Sequence, residues 1–349
     1  MSMLLDLAMR LPRLRRLREA RDALLQERDA LLRERDAAGG FGPEAAAELA
    51  LWRNRAVSRF FHYTAVFDPE EVMRRHAATG LAPRPGYLTN FLGVVIDPKF
   101  FPTILDDRAG TVEGIPIPAN WHADIAEWGA ALRAVDLARG SFTVIELGCG
   151  WGCWLNNTGV AARRAGLSVH LIGVEGDRGH IGFAEEATTA NGFAPEQRSL
   201  HHGIAAAASG TALFPRQQHA GMSWGLEPVF GATEAQREAA LRSGDYEVLP
   251  MVSLAELAAP HARIDLLHVD IQGGEADLVE AAMPLLREKV AYLLIGTHSR
   301  PIEGRLFQAL RASGWQLEIE RPAFPNPQDL VGSVAVDGVQ GWRNPALLP

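Results

Sequence analysis

Cysteine is almost absent: Cys149 and Cys153 are the only two in 349 residues. A disulfide framework is therefore excluded, and the pair has no two further metal ligands close by in sequence. Both read as reduced thiols. Long apolar runs are missing too, and no stretch approaches the roughly 20 residues that a spanning helix needs. There is no cationic excess. Lys and Arg number 34 against 42 Asp and Glu, a formal net charge of −8, so the balance does not point to nucleic acid as a partner. Residues 3–11 are too short an apolar stretch for a signal peptide, are broken by Asp6 and run into arginines. The expectation is an intracellular, cytoplasmic protein. What remains is a normal 47% share of hydrophobic residues, enough for a large core with additions.

A seven-residue repeat sets residues 1–38 apart. Residues 21–27 read RDALLQE and 28–34 read RDALLRE. Leu17, Leu24 and Leu31 recur at seven, as do Leu25 and Leu32, which puts one apolar stripe on a charged helix. Self-association would bury that stripe, so a short coiled coil and a homo-oligomer built through it are expected. Arg10, Arg13, Arg15, Arg16 and Arg18 interleave with leucines, which leaves peripheral membrane contact open. A plain solvated helix is the third reading. Gly39, Gly40, Gly42 and Pro43 end the segment. Residues 41–140 read as a mostly helical cap or substrate region, with helical composition over 45–61, 69–79 and 123–137. Residues 84–118 read as ordered loop.

From residue 141 to 349 the pattern alternates between apolar runs and helical segments. Strands are expected over 142–147, 168–174, 264–269 and 290–295, with a weaker one over 197–204. A helix is expected over 275–288, and residues 315–320 and 332–337 read as a final strand pair. Apolar runs of this kind suit strands covered on both faces. The order predicts an α/β fold with a doubly wound, mostly parallel, seven-stranded sheet.

The first of these strands runs into V-I-E-L-G-C-G-W-G over 144–152. Gly148, Gly150 and Gly152 allow a sharp turn and a close backbone approach to a ligand at the carboxyl ends of the strands. The spacing is G-x-G-x-G, not the G-x-G-x-x-G that cradles a pyrophosphate. S-adenosylmethionine (SAM) carries an ammonium, a carboxylate and a sulfonium instead. Glu146 can meet the ammonium, and backbone N–H groups around Cys149 can meet the carboxylate. Residues 172–177 read I-G-V-E-G-D, so Glu175 ends the next strand, followed by Gly176 and Asp177. A carboxylate there can accept both ribose hydroxyls. The bland alternative is a glycine turn in another Rossmann-like protein.

These motifs resemble those of class I SAM-dependent methyltransferases. Residues 252–257 (V-S-L-A-E-L) and 264–275 (I-D-L-L-H-V-D-I-Q-G-G-E) resemble the FkbM-type methyltransferase family over about 141–320. His268 stands where that family commonly has lysine, and Gly296-Thr297-His298 where a glutamate-containing strand end is common. The resemblance implies a Rossmann-like fold, SAM as cofactor and O-methylation of sugars or natural products.

Methyl transfer to an alcohol also requires loss of a proton, to a base or through a metal that acidifies the hydroxyl. Asp270 and His298 end adjacent strands. His298 is the preferred base because imidazole titrates near neutral pH, with a hydrogen-bonded structural role as the alternative. Asp270 could bind substrate, orient a histidine, ligate a divalent metal or cap its loop. His202, Gly203 and Ile204 would lie beside the adenine, or in a surface loop. In the N-W-H-A-D-I-A-E-W stretch, His122, Asp124 and Trp128 are candidates for an acceptor site, against plain packing of the cap. Residues 214–231, with Trp224, read as an active-site lid or a packing insertion. The expected activity is O-methylation of a saccharide, glycan or glycosylated metabolite. The rivals are a non-sugar natural product as acceptor, and an inactive SAM-binding scaffold.

Overall fold

A computed structural model describes residues 58–329 and 333–348, together with Gln26 and Ala30. Apart from those two positions, the heptad repeat lies outside the described residues. So does the helix expected over 45–61, except at its end, where Arg59–Phe61 is a 3-10 turn.

In chain order the strands of the central sheet and of the three-stranded sheet that follows β4 in sequence are β1 (Thr64–Ala65), β2 (Ser141–Leu147), β3 (Ser168–Glu175), β4 (Arg198–His202), β5 (Ile204–Ala206), β6 (Gly210–Pro215), β7 (Tyr246–Ser253), β8 (Leu266–Val269), β9 (Tyr292–Thr297), β10 (Gln316–Arg321) and β11 (Gly338–Arg343). The helices are α1 (Pro69–His76), α2 (Ile125–Leu137), α3 (Cys153–Arg164), α4 (Arg178–Ala190), α5 (Glu234–Ser243), α6 (Leu254–Ala258), α7 (Glu275–Lys289) and α8 (Arg300–Ala312). The central sheet has the order β1-β10-β11-β9-β8-β2-β3-β4. Strands β9, β8, β2, β3 and β4 pair in parallel, and β11 is inserted antiparallel between β9 and β10. The expected doubly wound α/β sheet is present, with eight strands in place of seven. The extra strand is the two-residue edge β1, antiparallel to β10. Residues 59–349 form one compact unit.

Strand β2 shows why these residues make a buried central strand. Phe142 and Val144 enter one core layer, with Trp128, Trp154, Leu171 and Leu294. Ile145 and Leu147 enter the other, with Val174, Leu267, Ile295 and Trp342. The two-residue period sends alternate side chains to opposite faces. Each fully buried aliphatic side chain contributes about 1.5–3 kcal/mol. Helices on both faces close these layers. From β2 the chain winds outward through β3 and β4, then returns to β8 on the other side. The strand order therefore reverses between β2 and β8, and a crevice opens at their carboxyl ends.

The weak strand expected over 197–204 splits at Gly203. β4 stays in the central sheet, while β5 joins β7 and β6 in a three-stranded sheet of order β5-β7-β6. The last strand pair is also displaced. β10 pairs with β11 at 338–343, and Val334–Val336 instead pairs with Phe324–Pro325 in a separate ribbon. Glycines hide β11 in the sequence. A Cβ on Gly341 would lie 2.6 Å from Ile319 Cγ2, and one on Gly338 would lie 2.0 Å from Glu303 Oε1. Close packing demands small residues there and removes the apolar pattern that marks a strand.

Candidate active site

A cavity of about 850 Å³ opens over the carboxyl ends of β2, β3 and β8. Its floor is the glycine loop after β2. Gly148 has φ +74°, and a Cβ there would come within 2.0 Å of the Asp270 carbonyl oxygen, so two loops cross where only glycine fits. Gly150, with φ +52°, lies under the Trp224 ring, which a Cβ would approach to 2.8 Å. Gly152 has φ +75° and is the N-cap of α3; it does not line the cavity.

Glu146 lines the cavity and is 2% exposed. Its two oxygens accept the backbone N–H groups of Trp154 (3.1 Å) and Leu155 (3.0 Å), so it holds the first turn of α3. Burial pushes its carboxyl up to about 8. Glu175 Oε2 accepts the N–H of Gly150 at 2.9 Å and Oε1 that of Asp177 at 2.7 Å. Burial pushes Glu175 up to about 7. Asp177 in turn caps α4 through the His180 N–H. Gly148, Cys149, Gly150, Gly176, Asp177, Gly203 and Ile204 all border the same cavity. His202 does not; its Nε2 lies 3.0 Å from the Gly176 carbonyl, which turns the ring away. The residues at this end fit an adenosyl amino acid. Two acidic strand ends and a Cβ-free loop face one space, beside the apolar patch of Ile204, Phe214 and Met251. Cys149 and Cys153 are free and buried, and burial raises both thiols well above their ordinary range.

The segment expected as a lid closes one side. Ser223, Trp224, Leu226, Pro228 and Phe230 line the cavity. Trp224 is sandwiched between His180 (centroids 3.9 Å apart, planes at 4°) and Phe101 (4.3 Å, 13°), and its indole N–H donates to the Gly221 carbonyl.

At the other end stand His122, Glu127, Trp151, Trp154, His268, Asp270 and Asp337. Burial lowers His122 and His268 to about 4, so both rings are neutral. Burial pushes Glu127 up to about 8, with Asp124 adding to the effect. Among the described residues, no Lys or Arg lines the cavity.

Two expected acceptor residues do not reach it. Asp124 is 2% exposed and caps α2 by accepting the N–H groups of Ala126 and Glu127. Its other oxygen binds Arg321 Nε at 2.5 Å. Trp128 is buried edge-on against Phe91 and Trp154. Both hold the scaffold. The D-I-A-E spacing of a capping box was the sequence signal for this, and it also brings out Glu127, the N3 residue that does border the cavity.

Asp270 and His298 are brought together as expected, and a residue missed in the sequence joins them. His298 Nε2 lies 3.3 Å from Asp270 Oδ1, and its Nδ1 lies 2.8 Å from Glu275 Oε1. Carboxylates accept only, so both ring nitrogens carry hydrogen. Burial alone would lower the imidazole, but the two carboxylates outweigh it and push it up to about 10. The sequence suggests a base that titrates near neutral pH or a hydrogen-bonded structural residue; in the structure the ring sits between two carboxylates that favour its charged form. His298 does not line the cavity; Asp270 does. Burial would raise Asp270, yet the hydrogen bond and charge of His298 lower it. Glu275 opens α7; the sequence marks it only as the last residue of the 264–275 motif and the first of the helix expected over 275–288.

No helix among the described residues is long and apolar enough to cross a membrane. No family model matches the chain. A ribosomal protein L11 methylase from Lactobacillus delbrueckii subsp. bulgaricus aligns over 74% of this chain and 94% of its own, at 14% identity and a TM-score of 0.32. A precorrin-6y C5,15-methyltransferase from Geobacter metallireducens GS-15 aligns over 61% and 86%, at 7% identity and a TM-score of 0.34. A protein of Jannaschia sp. (strain CCS1), described as "Putative methyltransferase", is 45% identical over 276 residues, which is 79% of this chain and 98% of that protein. With that identity across the length of its relative, and with a Rossmann-like sheet whose acidic strand tips meet a glycine loop, the chain belongs to this methyltransferase family.

Proposed function

We propose that the protein is a SAM-dependent O-methyltransferase acting on a hydroxyl of an uncharged saccharide, glycan or glycosylated metabolite. One observation carries the acceptor class. The end of the cavity beyond the glycine loop combines the rings of His122, Trp151 and Trp154 with the carboxyl groups of Glu127, Asp270 and Asp337. Rings cover the apolar faces of a sugar, and carboxylates take its hydroxyls. A phosphate or carboxylate would meet acidic groups with no Lys or Arg among the described lining residues to offset them. The resemblance of residues 252–257 and 264–275 to FkbM-type enzymes supports the same reading.

In this reading Glu175 takes the ribose hydroxyls, and the loop at Gly148, Cys149 and Gly150 takes the amino-acid end. Bound there, SAM supplies a methyl group already activated by its sulfonium. Asp270 receives the proton of the acceptor hydroxyl. A carboxylate suffices, because an oxygen that is gaining a methyl group becomes strongly acidic. His298 holds Asp270 in place, itself fixed by Glu275. Positioning supplies much of the acceleration. The leucine repeat over residues 17–32 would assemble copies of the chain.

The test is methyl transfer from labelled SAM to matched acceptors: neutral glycosides, their phosphorylated forms and non-sugar polyketide alcohols. Transfer to neutral glycosides is expected, with loss of about a hundredfold or more in turnover for Asp270→Asn. Transfer confined to non-sugar alcohols would reject the acceptor class. SAM binding without transfer to any acceptor would favour an inactive scaffold.

A further inference from the structure

We infer that Asp270, Glu275 and His298 form a site for a divalent first-row cation such as Mn²⁺, at the inner end of the cavity. Each residue offers one ligand atom, and these atoms lie within 4.8 Å of one another. They come from three separate pieces of chain: the tip of β8, the first residue of α7 and the residue after β9.

Glu275 is the reason to expect a cation and not merely a hydrogen-bonded cluster. It is fully buried. Its Oε1 already accepts the N–H groups of Ile271 (3.3 Å) and Gly273 (2.9 Å) as well as facing His298. Its Oε2 is buried with no hydrogen-bond partner. An unpartnered carboxylate oxygen out of water is costly, and a metal ion removes that cost. The surroundings agree in sign. Asp337 borders the cavity, and among the described residues no Lys or Arg does. A bound ion would displace the proton that His298 Nε2 holds toward Asp270. Two carboxylates and one imidazole suit Mn²⁺ and its neighbours better than a soft cation. Of the three donors, Asp270 borders the cavity and is the one through which an acceptor there would approach the ion. A sugar hydroxyl bound there would lose its proton more readily. That role rests on the acceptor proposed above; the binding of the ion does not.

The experiment uses the full-length protein, stripped with chelator and titrated with Mn²⁺, the free ion being followed by electron paramagnetic resonance. A Zn²⁺ competition arm covers a softer preference. One saturable ion per chain is expected. Glu275→Gln and His298→Asn should each weaken it by about tenfold or more, and an exposed control, Glu256→Gln, should not. Affinity for S-adenosylhomocysteine, measured by calorimetry, verifies that each variant is folded. Failure of Mn²⁺ and Zn²⁺ to saturate the wild-type protein at about millimolar concentration overturns the site, as does unchanged affinity in Glu275→Gln. A protein that binds the ion but methylates no glycoside keeps the site and loses the acceptor reading. Glycoside methylation undiminished by chelator, in a protein that binds no ion, does the reverse.

Discussion

The backbone N–H of Gly150 donates to Glu175 Oε2 across 2.9 Å, so the glycine loop and the second acidic strand tip are one hydrogen-bonded unit. The loop is shaped by the group expected to hold the ribose, and both respond to one titration. Burial raises Glu175 to about 7. Below that pH its carboxyl is protonated and loses part of its capacity to accept. Affinity for SAM and S-adenosylhomocysteine should therefore fall as pH drops from about 8 to about 6. Glu175→Gln should weaken binding about tenfold at the higher pH and flatten the profile. Calorimetry across that range checks it, and a flat wild-type profile would contradict the assignment.

Glu146 gives a stability prediction of definite sign. Its carboxyl is raised from 4.5 to about 8 by burial, against the opposing effect of two backbone N–H groups. The folded state therefore binds its proton more tightly than the unfolded chain does. The contribution of this group is fully present below about pH 4.5 and is lost as pH rises through about 8. Glu146→Gln removes that slope. Thermal unfolding at about pH 5.5 and about pH 8.5 should show the variant losing less between the two conditions than wild type. Glu146→Ala leaves two helix N–H groups without acceptors and should destabilise at both, by about 1–3 kcal/mol per group.

The Asp124–Arg321 pair tests the demotion of an expected acceptor residue. Both side chains are almost fully buried and meet at 2.5 Å. Asp124→Ala should cost about 3–5 kcal/mol in urea unfolding, because it strands a guanidinium. Asp124→Ala with Arg321→Met should recover much of that loss. If Asp124 instead touched the acceptor, the double variant would regain stability but show a raised KM, and the structural assignment would fail.

The cofactor half of the site was legible because it is local. An apolar strand, an acidic tip and a glycine bend follow each other over 144–152, and the pattern returns at Glu175. The other half, proposed for the acceptor, is made by contacts between distant segments. Glu275 and His298 are 23 residues apart and meet only because α7 starts beside the tip of β9. His298 resembled a free imidazole in sequence, and the two carboxylates that protonate it are visible only in space. Asp124 and Trp128 share a helix face, but which face the core covers depends on Arg321, almost two hundred residues away. Strand β11 was obscured by the glycines its tight packing requires.

Trp224 is the residue by which the strap over 214–231 grips the cavity, its ring stacked on both faces by His180 and Phe101. Ring pairs of this kind contribute about 0.5–1.5 kcal/mol each beyond the area they bury. Trp224→Ala removes both pairs and uncovers Gly150, so it should raise the Kd for S-adenosylhomocysteine roughly tenfold. Global stability should fall as well, by about 1–3 kcal/mol for the two pairs, since the ring is packed against the core layer of β2, β3 and β8. Trp224→Phe keeps the stack, loses the hydrogen bond to Gly221 and should fall between the two. Calorimetry with the three proteins orders them. Equal affinity in wild type and Trp224→Ala would show that the strap packs on the cavity without contributing to cofactor binding.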